Sequence, residues 1–386
     1  MTSKEHRKHS NIAKAPYGNF GINEWAILGA KCETIKGLAA TIIQELSPQY
    51  KCAYIDTKHA DDTTAMPPLL AAGADTEYTN HIHYHQFNFN KTFTPFQYRQ
   101  MFAACDLVLA NGNHHQAQNQ IIIIDETKKD SLHKRLSQLT NIELILLNGD
   151  VDIFDFIKET IPAWHQIPVL HLSDTEKIIG FFKEYMQKFV PVLNGLVLAG
   201  GKSERLGYDK SKINWHGNEQ RYYMADMLAP LCKTVFISCK AEQQSEINPA
   251  YNTLPDTFTG LGPYGAILSA LREHPHTAWL VIACDLPLIN AEALQYLIHD
   301  RDVSKTATTF QSPHDNLPEP LITIWEPKAY PVLLSFLSQG NSCPRKVLLN
   351  NDIKMIQAVH PETLVNVNTP EDSEKVKNIL EKRTHP

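Results

Sequence analysis

The chain has 386 residues, of which 43% are hydrophobic, and its formal net charge at pH 7 is −6. This length predicts two or three domains, each with enough apolar residues for a core. The acidic balance argues against a nucleic-acid partner, and no apolar run reaches the roughly 18 residues that a membrane helix needs.

The seven cysteines are scattered along the chain, and none forms a C-x-x-C pair. This pattern predicts reduced thiols rather than a disulfide or zinc framework. The first residues lack the apolar segment of a secretory signal, so we expect a cytoplasmic protein. Residues 1–19 are polar and basic and are expected to form a flexible tail.

The first predicted elements are a strand at Trp25–Leu28, a loop at Gly29–Lys36 and a helix at Leu38–Leu46. A strand, glycine loop and helix in this order are the setting of a phosphate-binding P-loop, G-x-x-x-x-G-K-[ST]. The loop departs from that pattern, with Ile35 at the second glycine and Gly37 at the Mg²⁺-binding hydroxyl. Lys36 alone remains to face an anion, so efficient nucleotide hydrolysis is not expected here.

Later segments of this half, I-D-T-K-H at 55–59, A-G-A-D at 72–75 and N-G-D at 148–150, resemble the MobB-type P-loop proteins of molybdenum cofactor biosynthesis. The apolar runs Leu107–Leu109 and Ile121–Ile124 suit strands buried on both faces of a parallel sheet. We interpret residues 20–188 as a degenerate P-loop-like α/β domain that serves folding, docking or regulation.

His81, His83 and His85 alternate, so on a strand they would share one face. They could bind a metal, but no acidic or cysteine ligand is near in sequence, and a solvated hairpin face is favoured.

The segment that organises the second half is L-A-G-G-K-S-E-R-L-G-Y-D-K, residues 198–210. The apolar run Leu196–Ala199 predicts a buried strand that breaks at Gly200 and Gly201. Paired glycines let backbone N–H groups approach an anion, and Arg205 and Lys210 add positive charge beside them. This combination predicts a site for a nucleotide triphosphate.

The string resembles the signature of the MobA-type molybdenum cofactor guanylyltransferases. The resemblance covers Leu193 to about Lys377, and the domain that it predicts is residues 193–386. It implies Mg²⁺ as cofactor, GTP and molybdopterin as substrates, and Arg205, Lys210 and Asp285 as catalytic residues. The nucleotide-binding residues that it implies are Leu198, Ala199, Gly200, Gly201, Lys210, Asp256 and Asp285.

Two further strand ends carry parts of that resemblance. Asp256 precedes the glycine-containing segment T-G-L-G-P-Y-G-A-I and is a nucleotide contact or, alternatively, a turn residue. Ser238 to Lys240 stand where the family has an asparagine, which leaves one ribose or base contact open. The apolar strand Ala278–Cys284 ends in Asp285, and a carboxylate at such a strand end can hold Mg²⁺ on phosphate oxygens. Asp285 matches the family's metal aspartate.

The acceptor-binding residues implied by the resemblance are Glu319, Lys346, Asn366 and Asn368. Glu319 precedes the predicted strand Ile322–Trp325, and Lys346 follows Arg345 at the start of a helix. The two asparagines belong to the closing motif V-N-V-N-T-P-E.

The predicted fold class is α/β, with two tandem three-layer domains and mainly parallel sheets, the second Rossmann-like. The predicted function is transfer of GMP from GTP to molybdopterin. The alternatives are a CTP-dependent or sugar-phosphate nucleotidyltransferase, and a non-catalytic adaptor of the molybdenum cofactor. Molybdoenzyme apoproteins or other proteins of the pathway are possible partners; neither nucleic acid nor membrane is expected.

Overall fold

The computed structural model describes residues 20–58, 65–199, 210–367 and 369–384. The chain divides into two compact units, with the boundary between Lys188 and Phe189. The predicted flexible tail, residues 1–19, lies outside the described residues. Within the described ranges, no helix has the length and apolar character to cross a membrane.

The first unit is built on a parallel sheet of six described strands in the order β2-β5-β1-β6-β7-β8. A separate antiparallel hairpin joins β3 to β4. The strands are Glu24–Leu28 (β1), Cys52–Ile55 (β2), Thr76–Asn80 (β3), His85–Phe89 (β4), Leu107–Asn111 (β5), Asn119–Ile124 (β6), Ile142–Leu147 (β7) and Val169–His171 (β8).

Helices cover both faces of this sheet, which makes the unit three-layered as predicted. Its α-helices are Cys32–Leu46 (α1), Pro68–Ala71 (α2), Pro95–Phe102 (α3), Lys129–His133 (α4), Asp155–Thr160 (α5) and Thr175–Lys188 (α6). Along β6, Ile121 and Ile123 pack in the cluster that contains α1 and α6, whereas Ile122 and Ile124 pack with α4 and α5.

The prediction of a loop over Gly29–Lys36 is wrong, because α1 begins at Cys32. Ile35, which stands at a glycine position of the P-loop pattern, is fully buried and starts the inner face that continues through Leu38 and Ile42. Lys36 is therefore an exposed residue of the helix. Only Gly29–Lys31 separate β1 from α1, too few residues to wrap a phosphate.

The interpretation of the alternating histidines as one strand face is also wrong, whereas their place in an exposed hairpin is confirmed. His81 and His83 lie in the turn between β3 and β4, where Ile82 has a φ of 69°, and only His85 belongs to a strand. Among the described residues, no group of three or more His, Cys, Asp or Glu is arranged to hold a metal ion.

The second unit is built on a sheet of seven described strands in the order β11-β10-β9-β12-β14-β13-β15. Only β14 pairs antiparallel with its neighbours, so the sheet is mainly parallel, as predicted. The strands are Leu193–Leu198 (β9), Val235–Cys239 (β10), Asn252–Pro255 (β11), Ala278–Ala283 (β12), Ala307–Gln311 (β13), Pro318–Trp325 (β14) and Lys354–Ile356 (β15).

Helices again pack on both faces of the sheet. Its α-helices are Gln220–Leu228 (α7), Pro263–Glu273 (α8), Ala291–His299 (α9), Ala329–Ser338 (α10), Pro344–Leu349 (α11) and Pro370–Thr384 (α12). In β12, Leu280 and Ile282 face α7 and α9, while Trp279 and Val281 face α8, α10 and α11. This alternation follows from the period of two in a strand, and both faces are apolar because both are covered.

Candidate active site

The carboxyl ends of β11, β10, β9 and β12 lie side by side at one edge of the second sheet. The pairing places Leu254, Ser238, Leu198 and Ala283 at the same level across these four parallel strands. In open α/β sheets, ligands bind in the crevice outside this edge. The structure thus brings the predicted site residues Leu198, Ala199, Asp256 and Asp285 to neighbouring strand ends.

Asp285 lies in the turn that follows β12, two residues beyond the last strand residue, and is half-buried. Its carbonyl oxygen accepts a hydrogen bond of 2.8 Å from the N–H of Val367. Val367 also packs against Leu288 from the same turn. The described part of the closing motif, residues 365–367, is therefore held against the aspartate turn, and Asn366, which directly precedes Val367, is half-buried beside it.

Asp256 follows β11, and its backbone N–H donates to the carbonyl of Cys239 over 2.9 Å. Its Oδ1 accepts a hydrogen bond of 2.9 Å from the hydroxyl of Ser238. Burial raises the pKa of the Asp256 carboxyl, and the Ser238 hydrogen bond and the charge of Lys240 act in the opposite direction. Ser238 therefore fixes the orientation of the carboxylate and favours its charged form.

The predicted acceptor residues Glu319 and Lys346 occupy different environments. The strand predicted to begin at Ile322 begins at Pro318, so Glu319 belongs to β14 and is buried. Its carboxylate lies 3.3 Å from Arg345, which also pairs with Asp315 at 2.9 Å. Proline is tolerated at the first residue of a strand, which explains the earlier start. Lys346 is exposed on α11.

Four predicted site residues lie outside the described residues, namely Gly200, Gly201, Arg205 and Asn368. Lys210 is described only for its backbone, which lies in a 3₁₀ turn at Lys210–Lys212. Their roles stay predictions. Asp285 offers what Mg²⁺ uses in nucleotide enzymes, one or two carboxylates completed by phosphate oxygens and water. The strand-end position of this carboxylate fits such an ion.

The Ser238–Asp256 contact was missed by the sequence reasoning. It joins two residues 18 positions apart, Ser238 on β10 and Asp256 just after β11, and no local sequence pattern indicates the pairing. The departure from the family's asparagine at residues 238–240 was the one signal that pointed to this place.

Residues 195–355 match the family model of the MobA-like NTP transferase domain. A probable molybdenum cofactor guanylyltransferase from Nostoc sp. is 32% identical over 183 residues, which are 47% of this chain and 88% of that protein. The chain belongs to the MobA-like NTP transferase family.

Another relative of this MobA-like protein is the molybdenum cofactor biosynthesis bifunctional protein of Synechocystis sp., 37% identical over 182 residues. The matched region is 47% of this chain and spans about half, 52%, of that relative. Among solved structures, the molybdopterin-guanine dinucleotide biosynthesis protein A of Archaeoglobus fulgidus is 22% identical, with a TM-score of 0.43 over 49% of this chain and 99% of that one. The family assignment rests on the family model and the curated relatives, and it makes the second unit a nucleotidyltransferase.

Proposed function

We propose that this protein is a molybdenum cofactor guanylyltransferase, which transfers GMP from GTP to molybdopterin and releases pyrophosphate. The observation that carries the proposal is the placement of Asp285 and Asp256 at one edge of the sheet, with Val367 of the closing motif hydrogen-bonded to the Asp285 turn. The name of the Nostoc relative, a probable molybdenum cofactor guanylyltransferase, supports this activity. The Synechocystis relative is named for molybdenum cofactor biosynthesis, which supports the pathway.

In this proposal the acceptor phosphate attacks the α-phosphorus of GTP in line, without a covalent enzyme intermediate. Gly200, Gly201, Arg205 and Lys210 hold the triphosphate, and Leu198 and Ala199 lie where the strand enters that loop. Asp285 holds Mg²⁺, which when bound neutralises charge on the phosphate oxygens. The residues contribute positioning and charge stabilisation rather than a nucleophile.

The acceptor is assigned to the side of the crevice formed by the closing segment. In this proposal Asn366 and Asn368 contribute amide groups to acceptor binding, and Lys346 contributes a positive charge for the anionic acceptor. The Arg345 side chain neutralises the Glu319 carboxylate, so Glu319 fits a role in orienting that arginine. None of the seven cysteines, all of which the structure describes, is joined in a disulfide. We propose a reducing compartment, the cytoplasm.

The pH dependence of GTP use is expected to report on Asp256. If its carboxylate contacts the nucleotide in the charged form, the KM for GTP rises as pH falls through the raised pKa. Ser238→Ala removes a hydrogen bond that favours the charged form, so that pKa rises further and the increase in KM begins at higher pH. Steady-state KM values measured between pH 5 and 8 test this, with Ser304→Ala as a matched hydroxyl control, because Ser304 bonds to Asp302 instead. An unchanged dependence of KM on pH in Ser238→Ala would show that Asp256 does not contact the nucleotide.

The function itself is tested by pyrophosphate release from the purified full-length chain with Mg²⁺ and molybdopterin, offering GTP, CTP, ATP and UTP in parallel. Release with GTP alone is the expected result. Release with CTP, or with UTP and a sugar phosphate, would support nucleotidyl transfer but with a different nucleotide or acceptor substrate. Silence with every nucleotide, from folded protein and intact acceptor, would favour the adaptor protein.

A further inference from the structure

In the first unit, three neighbouring parallel strands, β2, β5 and β1, end at one edge of the sheet. This is the edge at which a P-loop would hold phosphate. The connection between β1 and α1 is only Gly29–Lys31, and the first residue of the 15-residue helix α1 is Cys32. A half-buried thiol therefore stands at the N-terminus of a long helix where a phosphate-binding loop is missing.

The segment after β5 surrounds this thiol. The Sγ atom of Cys32 lies 3.5 Å from Nε2 of His114. The side-chain amide of Asn113 donates to the same sulfur over 3.7 Å, and it also donates to the carbonyl of Ala30 over 3.0 Å. The sulfur thus has an imidazole and an amide donor as neighbours, both from residues more than 80 positions away in the chain.

The segment after β2 supplies a carboxylate to the same imidazole. Oδ1 of Asp56 lies 4.0 Å from Nε2 of His114, whose side chain is 18% exposed. Asp56 is fixed by three donors, the hydroxyl of Tyr54, the backbone N–H of Thr57 and the side-chain amide of Asn111, at 2.8–2.9 Å. The imidazole thus lies within 4.0 Å of both the Asp56 carboxylate and the Cys32 sulfur, and a histidine beside a thiol is a setting that stabilises the thiolate.

The remaining charged and titratable groups around the sulfur have mixed signs. On its own segment, Lys31 precedes Cys32 and favours a thiolate, while Glu33 follows it and opposes one. From the segment after β5, His115 bonds to Thr57 over 2.9 Å, and burial lowers its pKa, so it adds little positive charge at neutral pH. The partial positive charge of the helix N-terminus acts in the same direction as His114.

We propose that Cys32 is a reactive thiol, paired with His114, and a site of oxidation by hydroperoxides. The thiolate sulfur attacks one peroxide oxygen, an S–O bond forms and the O–O bond breaks. The sulfur is oxidised by two electrons to a sulfenic acid, and the peroxide is reduced to water or an alcohol. His114 gives its proton to the departing oxygen. This inference concerns the first unit and is independent of the proposed nucleotidyl transfer.

The test is pulsed alkylation of the folded full-length protein with iodoacetamide, read by peptide mass spectrometry at each cysteine between pH 5.5 and 9. Cys343, which is exposed, is the internal reference, since on access alone it should react faster than Cys32. We expect Cys32 to react about fivefold faster than Cys343 at pH 6.5, with its rate rising at lower pH than the usual thiol pKa of about 8.5. A rate at or below that of Cys343 overturns the proposal.

The partner and the oxidant are tested separately. His114→Gln should lower the alkylation rate of Cys32 at pH 6.5 to that of Cys343 or below, whereas Cys343→Ser should leave the absolute rate of Cys32 unchanged. Hydrogen peroxide at equimolar concentration, followed by dimedone, should give a sulfenic-acid adduct on Cys32, and the adduct should be absent in Cys32→Ser. Alkylation that is unchanged in His114→Gln excludes the pairing, and no adduct on Cys32 excludes hydroperoxide as the oxidant. The wild-type rate profile decides the reactivity even if the variant fails to fold.

Discussion

Asp285→Asn is expected to lower kcat/KM for GTP by about 10²- to 10³-fold, the usual cost of removing one group that stabilises transition-state charge. The substitution keeps the size of the side chain and the backbone bond from Val367, so the fold should persist. Pyrophosphate release with Mg²⁺ measures the effect, and circular dichroism checks the fold.

Asp226→Asn provides the matched control for this prediction. Asp226 is an exposed carboxylate on α7 that bonds to the hydroxyl of Tyr251, and the same chemical change there should leave turnover near the wild-type value. Near-normal turnover in Asp285→Asn would show that the metal and the triphosphate are held elsewhere.

Arg301→Ala is expected to destabilise the second unit by about 3–5 kcal/mol, because it removes a guanidinium that pairs with a buried carboxylate. Arg301 meets Glu326 with two hydrogen bonds of 2.6 and 2.9 Å, and these side chains are only 10% and 0% exposed. The guanidinium also donates to the carbonyl of Pro191 over 2.9 Å. The bond ties the start of the second unit to the turn after α9. Guanidinium-induced unfolding, with hydrogen exchange in β12 and β14 as the local readout, measures the loss.

Two comparisons separate the buried pair from an ordinary ion pair. Lys305→Ala breaks the pair with Asp352, whose side chains are 32% and 47% exposed, and should cost less than about 1 kcal/mol. Arg301→Met combined with Glu326→Leu should be less destabilising than Arg301→Ala, since no charge is then left buried. Equal losses of unfolding free energy in Arg301→Ala and Lys305→Ala would contradict the prediction that burial makes the Arg301–Glu326 pair costly to break.

Features of the fold that depend on a few consecutive residues could be predicted from the sequence. The position of Asp285 at a strand end could be predicted because the run Ala278–Cys284 before it is wholly apolar. Such a run is typical of a strand that is covered on both faces. The predicted α/β class with mainly parallel sheets is confirmed for the same reason. The segment Gly29–Lys36 resembles a P-loop, and this likeness led to the wrong prediction of a loop. The apolar spacing of Ile35, Leu38 and Ile42 indicates a helix instead.

Contacts between distant segments could not be predicted in the same way. Arg301 donates a hydrogen bond to Pro191, which is 110 positions away in the sequence. Cys32 contacts His114, which is 82 positions away. Neither pair shares a motif, and each depends on strand order, which periodicity does not report. The environment of Glu319 on β14 could not be predicted either, because its partner Arg345 lies on helix α11, 26 positions further along the chain.

Each hydrophobic cluster of the described residues draws its members from one side of the boundary between Lys188 and Phe189. Apolar burial is the dominant favourable contribution to folding, so each half carries its own driving force. This has a consequence for gene architecture. We expect a coding sequence interrupted between these two residues to specify two polypeptides that each keep their own apolar clusters, and a fusion of two separate genes at that point to leave those clusters unchanged.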